Sequence, residues 1–250
     1  MAQESNGEAK RPARESGAAG GYAGTPGEVD TPARSSSEDT RRRLLEAALE
    51  AFGRYGFDGA STRRIASEAG VNLAAIPYHF GGKEGLHRAV AQHIVDEVSA
   101  RLGPLIDTVS QAQEAGDVGP DEAGRMLRAM VGQAAETILG HPEAQSWAPF
   151  ILREQMDPSP TFDVLYDGFM GHAHKLATAL LARAIGRAED DPETIARAFA
   201  MLGQLVIFRM GRAMVDRRLG WTAYGPGEIA IVRSVLDEHL QAIIAAGRRP

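Results

Sequence analysis

From Glu38 onward, apolar residues recur at intervals of three and four, and polar residues fill the positions between them. That period is the signature of amphipathic helices. Leu45, Ala48, Leu49 and Phe52 make the first stripe. Ile195, Phe199, Leu202, Val206 and Met210 make another, and Ile229, Val232, Leu236, Leu240 and Ile243 a third. No alternating apolar and polar run stands between turn residues, so the pattern predicts no strand. Helices are predicted near 39–56, 61–69, 72–79, 82–102, 104–115, 120–140, 142–155, 161–187, 192–218 and 226–247. Asp191-Pro192-Glu193 marks one start: a cap, a first-position proline and an acid in the first turn. Gly103-Pro104 and His141-Pro142 are predicted breaks, because the residue before a proline avoids helical geometry. The fold class is all-α.

The stretch STRRIASEAGVNLAAIPYHFGGKEGL, Ser61 to Leu86, holds two helices too short to persist alone. Ser61 can cap the first, which turns Ile65, Ala66 and Ala69 inward. Gly70 stands where a left-handed residue must close that helix. Asn72 can cap the second, which buries Ile76. A small residue, a turn glycine and an apolar anchor at offsets of zero, four and ten describe two helices crossing tightly. A helix-turn-helix, whose second helix enters a DNA major groove, has this form, and so does an ordinary helical hairpin.

Charge sharpens the picture only locally. The chain carries a formal charge of -6. Glu38–Arg88, with eight basic and seven acidic residues, is the only stretch that is not net negative. Residues 1–37 are Gly, Ala, Ser, Pro and charge, and read as a disordered tail. There is no cysteine, which excludes disulfides, zinc–thiolate sites and thiol nucleophiles and fits a cytoplasmic protein. No apolar run reaches the roughly 18 residues that cross a bilayer. His172 and His174 lie about 200° apart on a helix, and His87 and His93 also fall on different faces. No His-Glu-x-x-His, phosphate-cradling loop or Gly-x-Ser-x-Gly elbow is present. The sequence therefore implies no metal, no cofactor and no catalytic machinery.

Three segments, RRRLLEAALEAFGRYGFDGAS, RIASEAGVNLAAIPYHF and GGKEGL, resemble in order the DNA-binding domain of TetR-family transcriptional regulators. The resemblance implies an all-helical homodimer: an N-terminal three-helix DNA-binding domain (38–88), then a helical domain (89–250) that binds a ligand and dimerises. Carried over by position, Thr62 and Arg63 would face DNA, and Asn72, Leu73, Ala74 and Ala75 would form the exposed side of the recognition helix. Leu73, Ala74 and Ala75 suit thymine methyl groups better than hydrogen-bonded readout. Tyr78, His79 and Lys83 would lie near phosphates. Family members often carry a phosphate-contacting tyrosine where this chain has Pro77. A proline there is expected to end or kink the recognition helix near Ile76 and to pass the contact to Tyr78.

WAPFILREQMDPSPTFDVLYDGF and GQLVIFRMGRAMVDRRLGW resemble the C-terminal domain of the CerR/CecR-like branch of that family. Trp147, Phe150, Met156, Phe162, Tyr166, Phe169 and Phe208 are the apolar candidates for an effector pocket, with Ile151 among them. Arg153, Glu154, Arg209 and Arg212 are its polar candidates. The stripes Ile195, Phe199, Leu202, Val206, Met210 and Ile229, Val232, Leu236, Leu240 are expected to form a four-helix dimer interface. The expected function is ligand-responsive regulation of transcription, most simply repression of an operator released by a small apolar or amphipathic molecule. An activator, or an all-helical enzyme or carrier with a structural hairpin at 61–80, are the alternatives.

Overall fold

A computed structural model describes residues 32–116 and 118–248, with side chains from Ser36 onward. The segment to residue 31, expected as a tail, lies outside the described residues. Residues 32–37, assigned to the same tail, are already helical and open α1 (Pro32–Gly59). Arg42 and Arg43 hold Asp39, and Arg42 also holds Glu46, at three- and four-residue spacing along its exposed face. The helix breaks at Gly56, whose φ is 73°.

Helices α2 (Thr62–Glu68) and α3 (Ala75–Phe80) follow. Gly70 is left-handed, with φ of 63°. Its N–H bonds the Ser67 carbonyl at 3.1 Å, and the Val71 N–H bonds the Ala66 carbonyl at 3.0 Å. That pair of bonds is the Schellman closure expected from the glycine. Ser61 sits at the N-cap of α2 in extended geometry, but its side chain makes no capping bond. Asn72 does not cap α3 either, because the N-cap is Ala74 with no side-chain bond; its Oδ1 instead accepts the Ala74 N–H at 2.8 Å and closes a turn just before the helix.

Pro77 neither ends nor kinks α3. Helix α3 starts at Ala75, so Pro77 falls in the first turn, where an N–H has no intrahelical partner to lose. The Leu73 carbonyl takes the Ile76 N–H instead, at 3.2 Å.

Gly103-Pro104 does not break the chain either. Helix α4 (Lys83–Glu114) runs through it unbroken. Val90, Ala91, Ile94, Val95 and Val98 bury its first half in one core, and Val109 buries its second half in another. That burial outweighs the roughly 3 kcal/mol that an interior proline costs. Helix α5 (Pro120–Ala135) passes into a π-helical turn, Glu136–Gly140, before α6 (Ala144–Met156). The helix expected over 161–187 is divided into α7 (Pro160–Leu165), a π turn at Tyr166–Met170, and α8 (Gly171–Ile185). That over 192–218 bends by 74° between α9 (Pro192–Met210) and α10 (Arg212–Leu219). Helix α11 (Pro226–Gly247) closes the fold. Among the described residues there is no strand, and no single helix is long and apolar enough to cross a membrane.

Two cores organise these elements. The first joins α1–α3 and the start of α4 to Ala144, Trp147 and Phe150 of α6 and to Leu165. The second gathers α5, α8, α9 and α11. The headpiece therefore shares its core with α6, beyond the boundary expected at residue 88.

Candidate nucleic-acid interface and effector cavity

The outer face of α2 and α3 is what the headpiece offers. Ile65, Ala66 and Ile76 point into the core and fix the two helices against α1 and α4. Arg63, Asn72, Leu73, Ala74 and Tyr78 are exposed, and Thr62, Ala75 and His79 are half-buried. Tyr78 is 81% exposed, although it is an aromatic side chain, and its ring packs edge-on against His79 at 4.9 Å. A tyrosine held out in this way keeps its hydroxyl free for a partner. Asn72 spends its oxygen on the turn, which leaves its amide NH2 for a partner. Lys83 is turned back: its ammonium lies 4.6 Å from the centre of the Phe57 ring and 3.4 Å from the Asp58 carbonyl. Arg64, which the sequence reading passed over, is exposed beside Arg63 and stacks over Tyr55 at 4.9 Å.

One glycine sets the approach of α3 to α4. A Cβ on Gly85 would run into the Phe80 carbonyl at the end of α3. The recognition helix can sit this close to α4 only because that atom is missing.

An apolar cavity of about 170 Å³ opens between α4, α6, α9 and the two π turns. Of the expected pocket residues it contains Trp147, Phe169 and Arg209, together with Ile151. Val206 and Met210, expected at the dimer interface, also line it. Ala148, Leu152 and Gln155 belong to the wall and were not foreseen, because they look unremarkable outside the helical wheel of α6.

The other pocket candidates lie elsewhere. Phe150 is buried against Phe52 and His87 in the headpiece core. Arg153 donates to the carbonyls of Gly53, at 2.8 Å, and Arg54, at 2.7 Å. Those are the acceptors left where α1 breaks at Gly56. Glu154 is buried, accepts from the Ser159 hydroxyl at 2.7 Å, and lies 3.6 Å from His87. Met156 is 78% exposed, Tyr166 is exposed, and Phe162 packs beside Tyr166. Phe208 packs on the second core, and Arg212 covers the Tyr224 ring at 4.4 Å while pairing with Asp216.

Helix α6 thus has two working faces. Ala144, Trp147, Ala148, Ile151, Leu152 and Gln155 face the cavity. Phe150, Arg153 and Glu154, on the neighbouring arc, hold the headpiece, and Ala144 and Trp147 serve both, lining the cavity while buried in the headpiece core. His87 sits at the end of this contact. Its Nδ1 lies 3.0 Å from the Thr161 hydroxyl, and Phe52, Phe57 and Phe150 surround the ring. Burial first, and then the nearby Lys83 charge, push its pKa down to about 4.

The expected dimer stripes are also redistributed. Val232, Leu236 and Leu240 are buried in the second core of their own chain and have no surface to offer. Ile195, Leu202, Val206 and Ile229 are half-buried. The exposed large apolar residues of these helices are Phe199, Ile207, Met210, Met214 and Leu219 on α9 and α10, and Ile231 and Val235 on α11. On α11 the exposed pair is one position away from the residues that the stripe favoured.

Comparison with known proteins agrees with this layout. Residues 44–90 match the model of bacterial regulatory proteins of the tetR family. Residues 123–247 match that of the C-terminal domain of the HTH-type transcriptional dual regulator CecR. CecR of Shigella flexneri is 30% identical over 222 residues, covering 86% of this chain and 96% of that protein. The HTH-type regulatory protein RaaS of Mycobacterium tuberculosis is 45% identical over 65 residues, 26% of this chain and 30% of its own. The crystal structure of a TetR-like transcriptional regulator from Rhodococcus sp. RHA1 superposes with a TM-score of 0.53 at 17% identity, covering 82% of this chain and 96% of that one. The chain belongs to the TetR family of DNA-binding transcriptional regulators, and it carries a CecR-type C-terminal domain.

Proposed function

We propose that the protein works as a homodimeric repressor whose grip on its operator is loosened by a small molecule in the α4–α6–α9 cavity. The observation that carries this reading is the double use of α6, with the cavity on one face and the headpiece on the other. A ligand that favours one position of α6 must also favour one position of the headpiece. Its effect on DNA affinity equals its preference between the two states, typically about 1–3 kcal/mol.

On DNA, α3 enters the major groove, with Leu73 and Ala74 against thymine methyl groups and Asn72 offering its amide NH2. Thr62, Arg63, Tyr78 and His79 contact the backbone, and Lys83 joins them by leaving the Phe57 ring. Phe199, Ile207, Met214, Ile231 and Val235 supply the dimer surface, which places two such helices on successive grooves. No catalytic step enters this account. Because the Shigella relative is named a dual regulator, activation at some promoters is the second reading.

The test is fluorescence anisotropy on the DNA upstream of the protein's own coding sequence, over a salt series, with transcription run from the same fragment. Specific binding that weakens steeply with salt supports the reading. A protein that stays monomeric at micromolar concentration and ignores every upstream fragment at low ionic strength refutes it. A rise in transcript on adding protein replaces repression with activation.

A further inference from the structure

The cavity wall has an electrical asymmetry that a purely apolar pocket lacks. Its lining contains no carboxylate: apolar side chains such as Val98, Leu102, Ile138, Phe169 and Met170 make most of it, and Thr137 and Gln155 are neutral. Arg209 alone brings a charge to it, and that side chain is only 8% exposed. No aspartate or glutamate pairs with it among the described residues. Its Nε and Nη2 are held by the carbonyls of Ile138 and Leu139 at the π turn, whereas Nη1 has no partner among the described residues. Tyr224 packs against the guanidinium, and its charged neighbour Arg212 takes the nearby Asp216 carboxylate for itself. A second donor is also unanswered. Trp147, 3% exposed, lines the cavity, and its indole N–H has no acceptor. A buried cation without a counter-charge and a buried N–H without an acceptor are both costly.

We infer that the effector is a lipophilic organic anion of single-ring size, whose carboxylate or phenolate oxygen pairs with Arg209 while its ring fills the apolar wall. This rests on the reading that the cavity holds the effector. The volume sets the size: a cavity of about 150 Å³ takes benzene, so one of about 170 Å³ takes a ring with a small substituent. The missing carboxylates set the sign: nothing on this wall would receive a lipophilic amine.

The test uses the full chain with Trp221→Phe, which leaves Trp147 as the only tryptophan reporter. Three probes of one shape are titrated: 4-methylbenzoate, 4-methylbenzamide and 4-methylbenzylamine. The benzoate should quench Trp147 and bind about tenfold or more tightly than the amide, as charge-assisted hydrogen bonds imply, and the amine should not bind. Arg209→Lys should keep the preference for the anion, and Arg209→Gln should bring benzoate and amide to parity. Should Arg209→Gln fail to fold, the wild-type charge series and Arg209→Lys still decide. Amide or amine binding as tight as benzoate, abolished by Ala148→Phe, overturns the anionic assignment and leaves the cavity as the effector site. Absence of binding by all three probes overturns both.

Discussion

Arg153 Nε donates a 2.8 Å hydrogen bond to the carbonyl of Gly53, a hundred residues earlier in the chain, and so ties α6 to α1 where α1 breaks. The bond to the Arg54 carbonyl beside it makes the guanidinium of α6 a cap for the broken end of α1. Arg153→Met keeps most of the apolar stem and removes both bonds. Because the side chain is partly exposed, thermal unfolding should report a loss of only about 1 kcal/mol. The larger effect falls on coupling: the variant should still bind DNA, but a ligand in the cavity should release it less completely. Full release by ligand in this variant would show that the signal bypasses Arg153.

His87 makes stability depend on pH. Buried among three aromatic rings, it holds its pKa near 4, whereas an unfolded histidine titrates near 6.5. The Glu154 carboxylate, 3.6 Å away, favours the imidazolium, but burial and Lys83 work against it. Between the two pKa values the unfolded chain takes up a proton that the folded chain refuses. Stability is therefore complete above pH 6.5, falls as pH drops toward 4, and levels off below, for a loss of up to about 3 kcal/mol. Chemical denaturation of wild type and His87→Gln across pH 7 to 4 isolates this part, because Gln can still hydrogen-bond Thr161. Parallel pH profiles for the two proteins would remove His87 from the account.

Gly85→Ala should cost more than its size suggests. The added methyl group meets the Phe80 carbonyl, which is backbone and cannot swing away. Either α3 or α4 must shift, so operator affinity should fall at least tenfold, an energy of about 1.4 kcal/mol, with oligomeric state unchanged. Unchanged affinity would mean that α3 tolerates a new seat on α4.

Pro77→Tyr tests whether the proline shapes the interface. Pro77 is exposed and lies in the first turn, so its replacement should change stability by less than about 0.5 kcal/mol. Affinity for the operator should equal or exceed that of wild type, since a second tyrosine stands beside Tyr78. A large loss would show that the proline's fixed geometry presents the neighbouring side chains.

Local features of the fold were legible in the sequence and relational ones were not. Gly70 and Ile76 act close to their own place in the chain, and spacing alone places them; Asn72 also bonds locally, but in the turn before α3 and not at its cap. The effect of Pro77 depends on where α3 begins, and that start is fixed by the Asn72 turn rather than by the proline. Pro104 fails to break α4 because two separate cores bury the helix on either side of it. Phe150 and Trp147 look alike in sequence, both apolar and three residues apart. Phe150 ends in the headpiece core and Trp147 between that core and the cavity, because α6 is buried on two sides, which no period reveals.

The same ambiguity decides the dimer surface. A stripe can face its own chain or a partner, and burial within the chain assigns Val232, Leu236 and Leu240 to the former. Phe199 is 61% exposed and Met214 is 74% exposed, and Ile207, between them in sequence, is 56% exposed. Ile231 and Val235 are exposed on α11, which packs beside α9. A charge placed there would be buried against its own copy across a two-fold axis, where like charges meet and repel. Phe199→Glu combined with Ile231→Glu should therefore give a monomer in sedimentation velocity at micromolar concentration. Helix content should be preserved, because neither side chain belongs to a core. DNA binding should fall with it, since a lone headpiece contacts one half-site and loses the linked contribution of the second. A dimer that survives both substitutions would move the interface to another face of the molecule.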